Sequence, residues 1–91
     1  MYKLLIADDD EIICRGLGEC INWQEQGIEV IDMVYDGERA LEVVREKQPD
    51  IVIADINMPF MDGMEFSCIV RQEFPWIKII LLTAYKEFDY A

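Results

Sequence analysis

Histidine is absent from this 91-residue chain, and cysteine is scarce: Cys14, Cys20 and Cys68, an odd number with no Cys-x-x-Cys spacing. Those two shortages argue against a zinc site and a disulfide framework, and fit reduced thiols in a cytoplasm. The cysteines are expected to fill helix faces as small hydrophobes. Bases are few as well, 8 against 19 acids, for a net charge of −11. Nucleic acids and anionic lipids are bound through neutralising Lys and Arg, so this segment is expected to grip neither DNA nor a membrane surface. No apolar run approaches the ~20 residues of a membrane span. The start, Met1-Tyr2-Lys3-Leu4, leads straight into a strand pattern and reads as having no signal peptide. Neither an internal repeat nor a low-complexity linker occurs. What remains is one small domain, 53% hydrophobic and ample for a folded core.

Within it, strand and helix patterns alternate. Tyr2 to Ala7 reads as a strand buried on both faces. From Asp10, the residues Ile13, Leu17 and Ile21 recur at helical spacing, ending near Asn22 or Trp23, and Gly27 breaks the chain. Ile28 to Tyr35 reads as a more amphipathic strand at a sheet edge. Asp36-Gly37 is a turn signal, and Ala40, Leu41 and Val44 mark a helix to about Lys47. Ile51 to Asp55 reads as a central strand and Met58 to Gly63 as a loop. A helix follows from Met64 to Phe74, with Phe66, Ile69 and Val70 among its apolar positions, then a strand from Ile77 to Thr83. Such alternation predicts an α/β fold of parallel βαβ units. After Thr83-Ala84-Tyr85, a further helical pattern from Lys86 to Ala91 halts in its first turns, so a truncated domain over 1–91 is expected.

The first apolar run stops on Asp8-Asp9-Asp10, the third strand on Asp55 and the fourth on Thr83. In open parallel sheets ligands sit outside the carboxyl ends of the strands. These side chains are therefore expected to converge on one acidic pocket that holds a divalent cation and handles phosphate. Mg²⁺ prefers oxygen ligands, one or two carboxylates with waters and a phosphate oxygen. Asp9 and Asp55 suit direct ligation, and Asp8 direct or water-mediated ligation. A carboxylate beside Mg²⁺ can also attack a phosphoryl group. Without a cation the clustered carboxylates would repel one another and take up protons at raised pKa. Blander roles stand beside these. Asp10 and Glu11 read as an N-cap and a dipole-favoured acid. Asn57 and Asp62 read as loop residues, Gly63 as a turn or close-packing position, Met58 and Met61 as packing. Thr83 alone is an ordinary strand residue, and Trp23 and Trp76 read as core-edge aromatics.

Leu4 to Asp9, then Ile53-Ala54-Asp55-Ile56-Asn57-Met58-Pro59-Phe60-Met61-Asp62-Gly63, then Leu81-Leu82-Thr83-Ala84, resemble the receiver domain of two-component response regulators. Ile21-Asn22-Trp23 with Gly27, and Tyr85 to Ala91, are similar to the YesN-type subgroup, in which an AraC-type helix-turn-helix domain follows. The resemblance implies a flavodoxin-like (CheY-like) doubly wound sheet of order 2-1-3-4-5, here incomplete at 2-1-3-4 with the fifth strand and last helix missing. It implies Asp55 as phosphoacceptor from a sensor histidine kinase, Asp8, Asp9, Asp55 and the backbone carbonyl of Asn57 as Mg²⁺ ligands, and Thr83 as the switch hydroxyl. Ala84 matches the small position that leaves the phosphoryl group accessible.

It further implies a cytoplasmic signalling switch with self-directed phosphotransfer and autodephosphorylation, controlling transcription through a DNA-binding domain outside this chain. The family's fifth-strand lysine and switch aromatic have no counterpart here, and Lys86 does not match that lysine. Weakened phosphotransfer is expected, with self-association or a homodimer through uncovered faces. Two other readings stand beside the receiver. One is a Mg²⁺-dependent phosphatase of the haloacid dehalogenase type, for which Asp8-Asp9-Asp10 offers the Asp-x-Asp spacing but Ile12 replaces the usual Thr or Val. The other is a pseudo-receiver, an interaction module without phosphate chemistry.

Overall fold

The computed structural model describes residues 1–83. Four strands, β1 (Tyr2–Ala7), β2 (Ile28–Val34), β3 (Ile51–Asp55) and β4 (Lys78–Leu82), form one parallel sheet of order β2-β1-β3-β4. Three helices, α1 (Glu11–Cys20), α2 (Gly37–Lys47) and α3 (Gly63–Glu73), lie in the crossovers. This is the flavodoxin-like order expected over its first four strands, with the amphipathic β2 at an edge. The helical pattern from Lys86 and the residue Ala84 lie outside the described residues.

Side-chain alternation along β1 divides the core. Leu5 and Ala7 join Val52 and Ala54 of β3 against Ala40, Val43 and Val44 of α2 and Phe66 and Val70 of α3. Leu4, Ile6 and Ile53 face the other way, onto Cys14 and Leu17 of α1 and the Trp23 ring. Both faces of the central strands are thus covered, which explains their near-continuous apolar runs. Burying one such Leu, Ile or Phe contributes about 1.5–3 kcal/mol.

The first helix differs from its sequence expectation. Ile13 is 43% and Ile21 41% exposed, whereas Cys14 is fully buried. Ile21 has left the helix for an extended conformation (φ −108°, ψ 131°). The inward stripe is instead Cys14, Leu17 and Gly18, spaced i, i+3, i+4. Gly18 has no Cβ because Met33 of β2 fills that space. Helix ends elsewhere follow their caps: Asp36 accepts the Arg39 N–H at 2.8 Å and Asp62 accepts that of Glu65 at 2.8 Å. Apart from α1, which ends at Cys20 and not near Asn22 or Trp23, the predicted strand and helix limits shift by one residue or so.

Candidate metal and phosphoryl-transfer site

β1 ends where its last polar partner is met. The Asp8 N–H donates to the Val34 carbonyl at 3.0 Å, extending the ladder with β2 by one residue. The chain then turns, because Asp8 Oδ1 accepts the Asp10 N–H at 2.9 Å and Asp10 Oδ1 accepts that of Ile12 at 2.9 Å. Asp10 is the N-cap of α1, the bland role read for it in the sequence. Behind this turn the buried Cys14 thiol lies 3.5 Å from the Asp8 carbonyl oxygen and 3.8 Å from that of Val34. Burial, with Asp8 nearby, pushes the thiol pKa up to about 11, so it stays protonated and donates.

Asp55 is the last residue of β3 and pairs with Leu82 of β4. The nearby backbone N–H groups of Asn57 and Ile56 favour its ionised form. The Ile56 N–H donates to Leu82 at 3.1 Å, and the Gly63 N–H returns to the Ile56 carbonyl at 2.7 Å. Met58 anchors the loop in the core at 7% exposure, as expected of a packing residue. Phe60, 80% exposed, holds a left-handed conformation at φ 69°. Thr83 follows the Asp55–Leu82 pair directly and is exposed. Asn57 is exposed on the loop.

The carboxylates of Asp8, Asp9 and Asp55 each bring an oxygen to within 4.8 Å of the others. Asp8 and Asp55 are buried, at 3% and 8% exposure, while Asp9 is exposed. Loss of solvent pushes the Asp8 pKa up to about 6 against the bond from the Asp10 N–H, and the charges of Asp55 and Asp9 add to the rise. Desolvation also raises Asp55, opposed by the Asn57 N–H, with the charge of Asp9 adding to the rise. The raised pKa expected of clustered acids is therefore found, but burial leads and mutual repulsion follows.

The donor set fits a hard cation. It is all oxygen, and octahedral Mg²⁺ ligands at about 2.1 Å lie roughly 3–4 Å apart, so three oxygens spread over 4.8 Å need only a small contraction. A concavity of about 550 Å³, lined in part by Ile21, Trp23, Ile28 and Val30, shares no residue with this cluster.

Residues 4–91 match the family model described as the response regulator receiver domain. The chain belongs to this family. Over its full length the receiver is 42% identical to the "Uncharacterized transcriptional regulatory protein YesN" of Bacillus subtilis (strain 168), covering 25% of that protein. Across the first curated relatives it spans only 25% to 41% of their lengths. Among solved structures, the REC domain of AraT, a response regulator from Geobacillus stearothermophilus, superposes with a TM-score of 0.91 at 40% identity, over 98% of this chain and 69% of that one. A two-component transcriptional regulator AraC from Clostridium phytofermentans ISDg gives 0.86 at 28% identity, over 100% and 73%.

Of the residues singled out in the sequence, the structure brings together Asp8, Asp9 and Asp55, leaves Asn57 on the loop two residues past Asp55, and leaves Thr83 at the adjoining strand end. Cys14 and Gly37 also reach the site's supporting backbone, and sequence reading missed both. Cys14 looked like filler. Gly37 looked like half of a turn, and only its distant neighbour in the Asp55 loop gives it another meaning.

Proposed function

We propose that this receiver accepts a phosphoryl group on Asp55 from a phosphohistidine of a sensor histidine kinase, with Mg²⁺ held by Asp8, Asp9, Asp55 and the Asn57 backbone carbonyl. The observation that carries this reading is the approach of the Asp8, Asp9 and Asp55 carboxylates at the carboxyl ends of β1 and β3. In the transfer, an Asp55 carboxylate oxygen attacks phosphorus, the phosphorus–nitrogen bond of the donor breaks, and its electron pair returns to the imidazole. The cation would offset repulsion between the anionic nucleophile and donor and keep the carboxylate ionised. Asp8 and Asp9 would supply the remaining negative charge around the cation, and the Ile56 and Asn57 N–H groups favour the ionised Asp55 carboxylate. Thr83, at the next strand tip, is assigned the hydroxyl that bonds a phosphoryl oxygen and shifts the conformational equilibrium. Ala84 is assigned the small position beside it.

Asp55 then returns to its free state by autodephosphorylation, so the chemistry is self-directed and serves signalling. The cellular setting is the cytoplasm, where such kinases present their phosphohistidine. Transcriptional control would run through a DNA-binding domain elsewhere in the protein, since a net charge of −11 opposes DNA contact by this part.

Radiolabelled acetyl phosphate with Mg²⁺ tests the reaction. The wild-type chain is expected to take up hydroxylamine-labile label, Asp55→Asn to lose it entirely, and Asp8→Asn to weaken it. Label surviving in Asp55→Asn and vanishing in Asp8→Asn would instead make Asp8 the nucleophile, as in the phosphatase reading. An unlabelled wild type that also ignores Mg²⁺ would indicate a pseudo-receiver.

A further inference from the structure

Five glycines punctuate the chain, and two of them are needed for opposite reasons. Gly27 has φ +76° with open space around it, so it serves the backbone turn before β2. Gly37 has no such dihedral. Its place at the first position of α2 is buried, and a Cβ there would overlap the Met61 carbonyl oxygen and stand 2.7 Å from the Met61 carbonyl carbon and 2.8 Å from its Cβ. Its N–H points to the Pro59 carbonyl at 3.4 Å. The obstruction is backbone, which a rotamer change cannot clear.

On its other flank the same loop meets a second glycine. A Cβ on Gly63 would overlap the Asp55 carbonyl oxygen and lie 2.8 Å from the Ile56 Cα. The segment from Ile56 to Met61 is therefore gripped at both ends by glycine backbone, with Met58 pinned in the core between them. That segment begins with Ile56 and Asn57, the two residues directly after Asp55, whose backbone N–H groups favour the ionised Asp55 carboxylate.

We propose that Gly37 is a positioning residue for the phosphoacceptor loop, registering the first turn of α2 against Pro59–Met61 and so fixing the backbone of Ile56 and Asn57. The inference rests on the Mg²⁺-binding role proposed above for Asp55 and Asn57. With Met58 anchored and Gly63 abutting Asp55, displacement of Met61 by a methyl group has little slack to absorb it. It is transmitted to Asn57 and Asp55. Asp36 sets the geometry from the helix side, since its carboxylate caps α2 through the Arg39 N–H.

Calorimetric Mg²⁺ titration of the full chain tests this, because Trp23 and Trp76 both stand at strand entries away from the carboxyl ends. Gly37→Ala is expected to weaken Mg²⁺ about 10-fold or more, the range found when groups supporting metal ligands are removed. Gly16→Ala, on α1 with nothing within 4 Å, is expected to leave affinity unchanged. A loss of fold stability alone would not alter the affinity of folded molecules, so the titration is run below the unfolding transition. Should Gly37→Ala not fold, the wild-type amide spectrum decides: the Gly37 N–H resonance shifts with Mg²⁺ while those of Gly16 and Gly27 stay still. Wild-type affinity in folded Gly37→Ala, or a Gly37 resonance indifferent to bound Mg²⁺, overturns the coupling and leaves the site reading intact. A wild type that takes up no Mg²⁺ removes both.

Discussion

Asp8 places an ionisable oxygen where hydrocarbon would be more stable. Its pKa of about 6, against an ordinary 3.8, means that the folded chain binds a proton more tightly than the unfolded one. Between those two values the folded state carries more protons, so stability falls as pH rises through that window. The penalty is fully present above pH ~6 and on the order of 2–3 kcal/mol. Desolvation acts in the same direction on Asp55. Asp8→Asn, which keeps an oxygen for the Asp10 N–H, is therefore expected to raise metal-free stability at pH 7 by about 1–3 kcal/mol, and to leave it nearly unchanged at pH 4. Urea unfolding in a chelator at the two pH values measures this. Equal stability of variant and wild type at pH 7 would mean that Asp8 ionises at no cost.

At the scale of elements, the strands and the acidic cluster were legible because both are written in local pattern. Apolar runs of four residues, Leu4–Ala7 and Ile51–Ala54, that stop at Asp8 and Asp55 state where a buried strand stops and what it carries there. The face of α1 was harder to read. Ile13, Leu17 and Ile21 made a convincing stripe, but the helix ends at Cys20 and the small thiol of Cys14 takes the inward place. The Gly37–Met61 approach could not be read at all, since it depends on two turns remote in sequence meeting over the sheet. The end of α2 is improvable for a local reason. Gln48 caps it in the left-handed region at φ 45°, with its N–H on the Val44 carbonyl. Glycine is the residue that adopts this cap without Cβ strain. Gln48→Gly is expected to stabilise the receiver by about 0.5–1 kcal/mol, the αL penalty of a side chain less the flexibility glycine adds to the unfolded chain. A urea midpoint that fails to rise would show that the Gln48 side chain contributes more than its strain costs.

The whole molecule carries −11 charges, so two kinds of repulsion oppose folding and they respond differently to salt. Surface acids are spread over a body of 38 × 30 × 21 Å. At 0.1 M salt the screening length is about 10 Å, shorter than most of those separations. The three site carboxylates, within 4.8 Å of one another and partly out of water, lie well inside that length. Sodium chloride is therefore expected to raise the melting temperature gradually through the surface alone. Magnesium chloride at matched ionic strength should add a second, saturable increment, about 2.7 kcal/mol once free Mg²⁺ reaches 100 times its dissociation constant. The Asp8→Asn/Asp55→Asn double variant should follow the sodium curve in both salts, because it keeps the surface and loses the cluster. Calorimetric melts across the two salts separate these terms. Coincident sodium and magnesium curves for the wild type would reduce the cluster to ordinary surface charge and remove the physical basis for a metal-dependent switch.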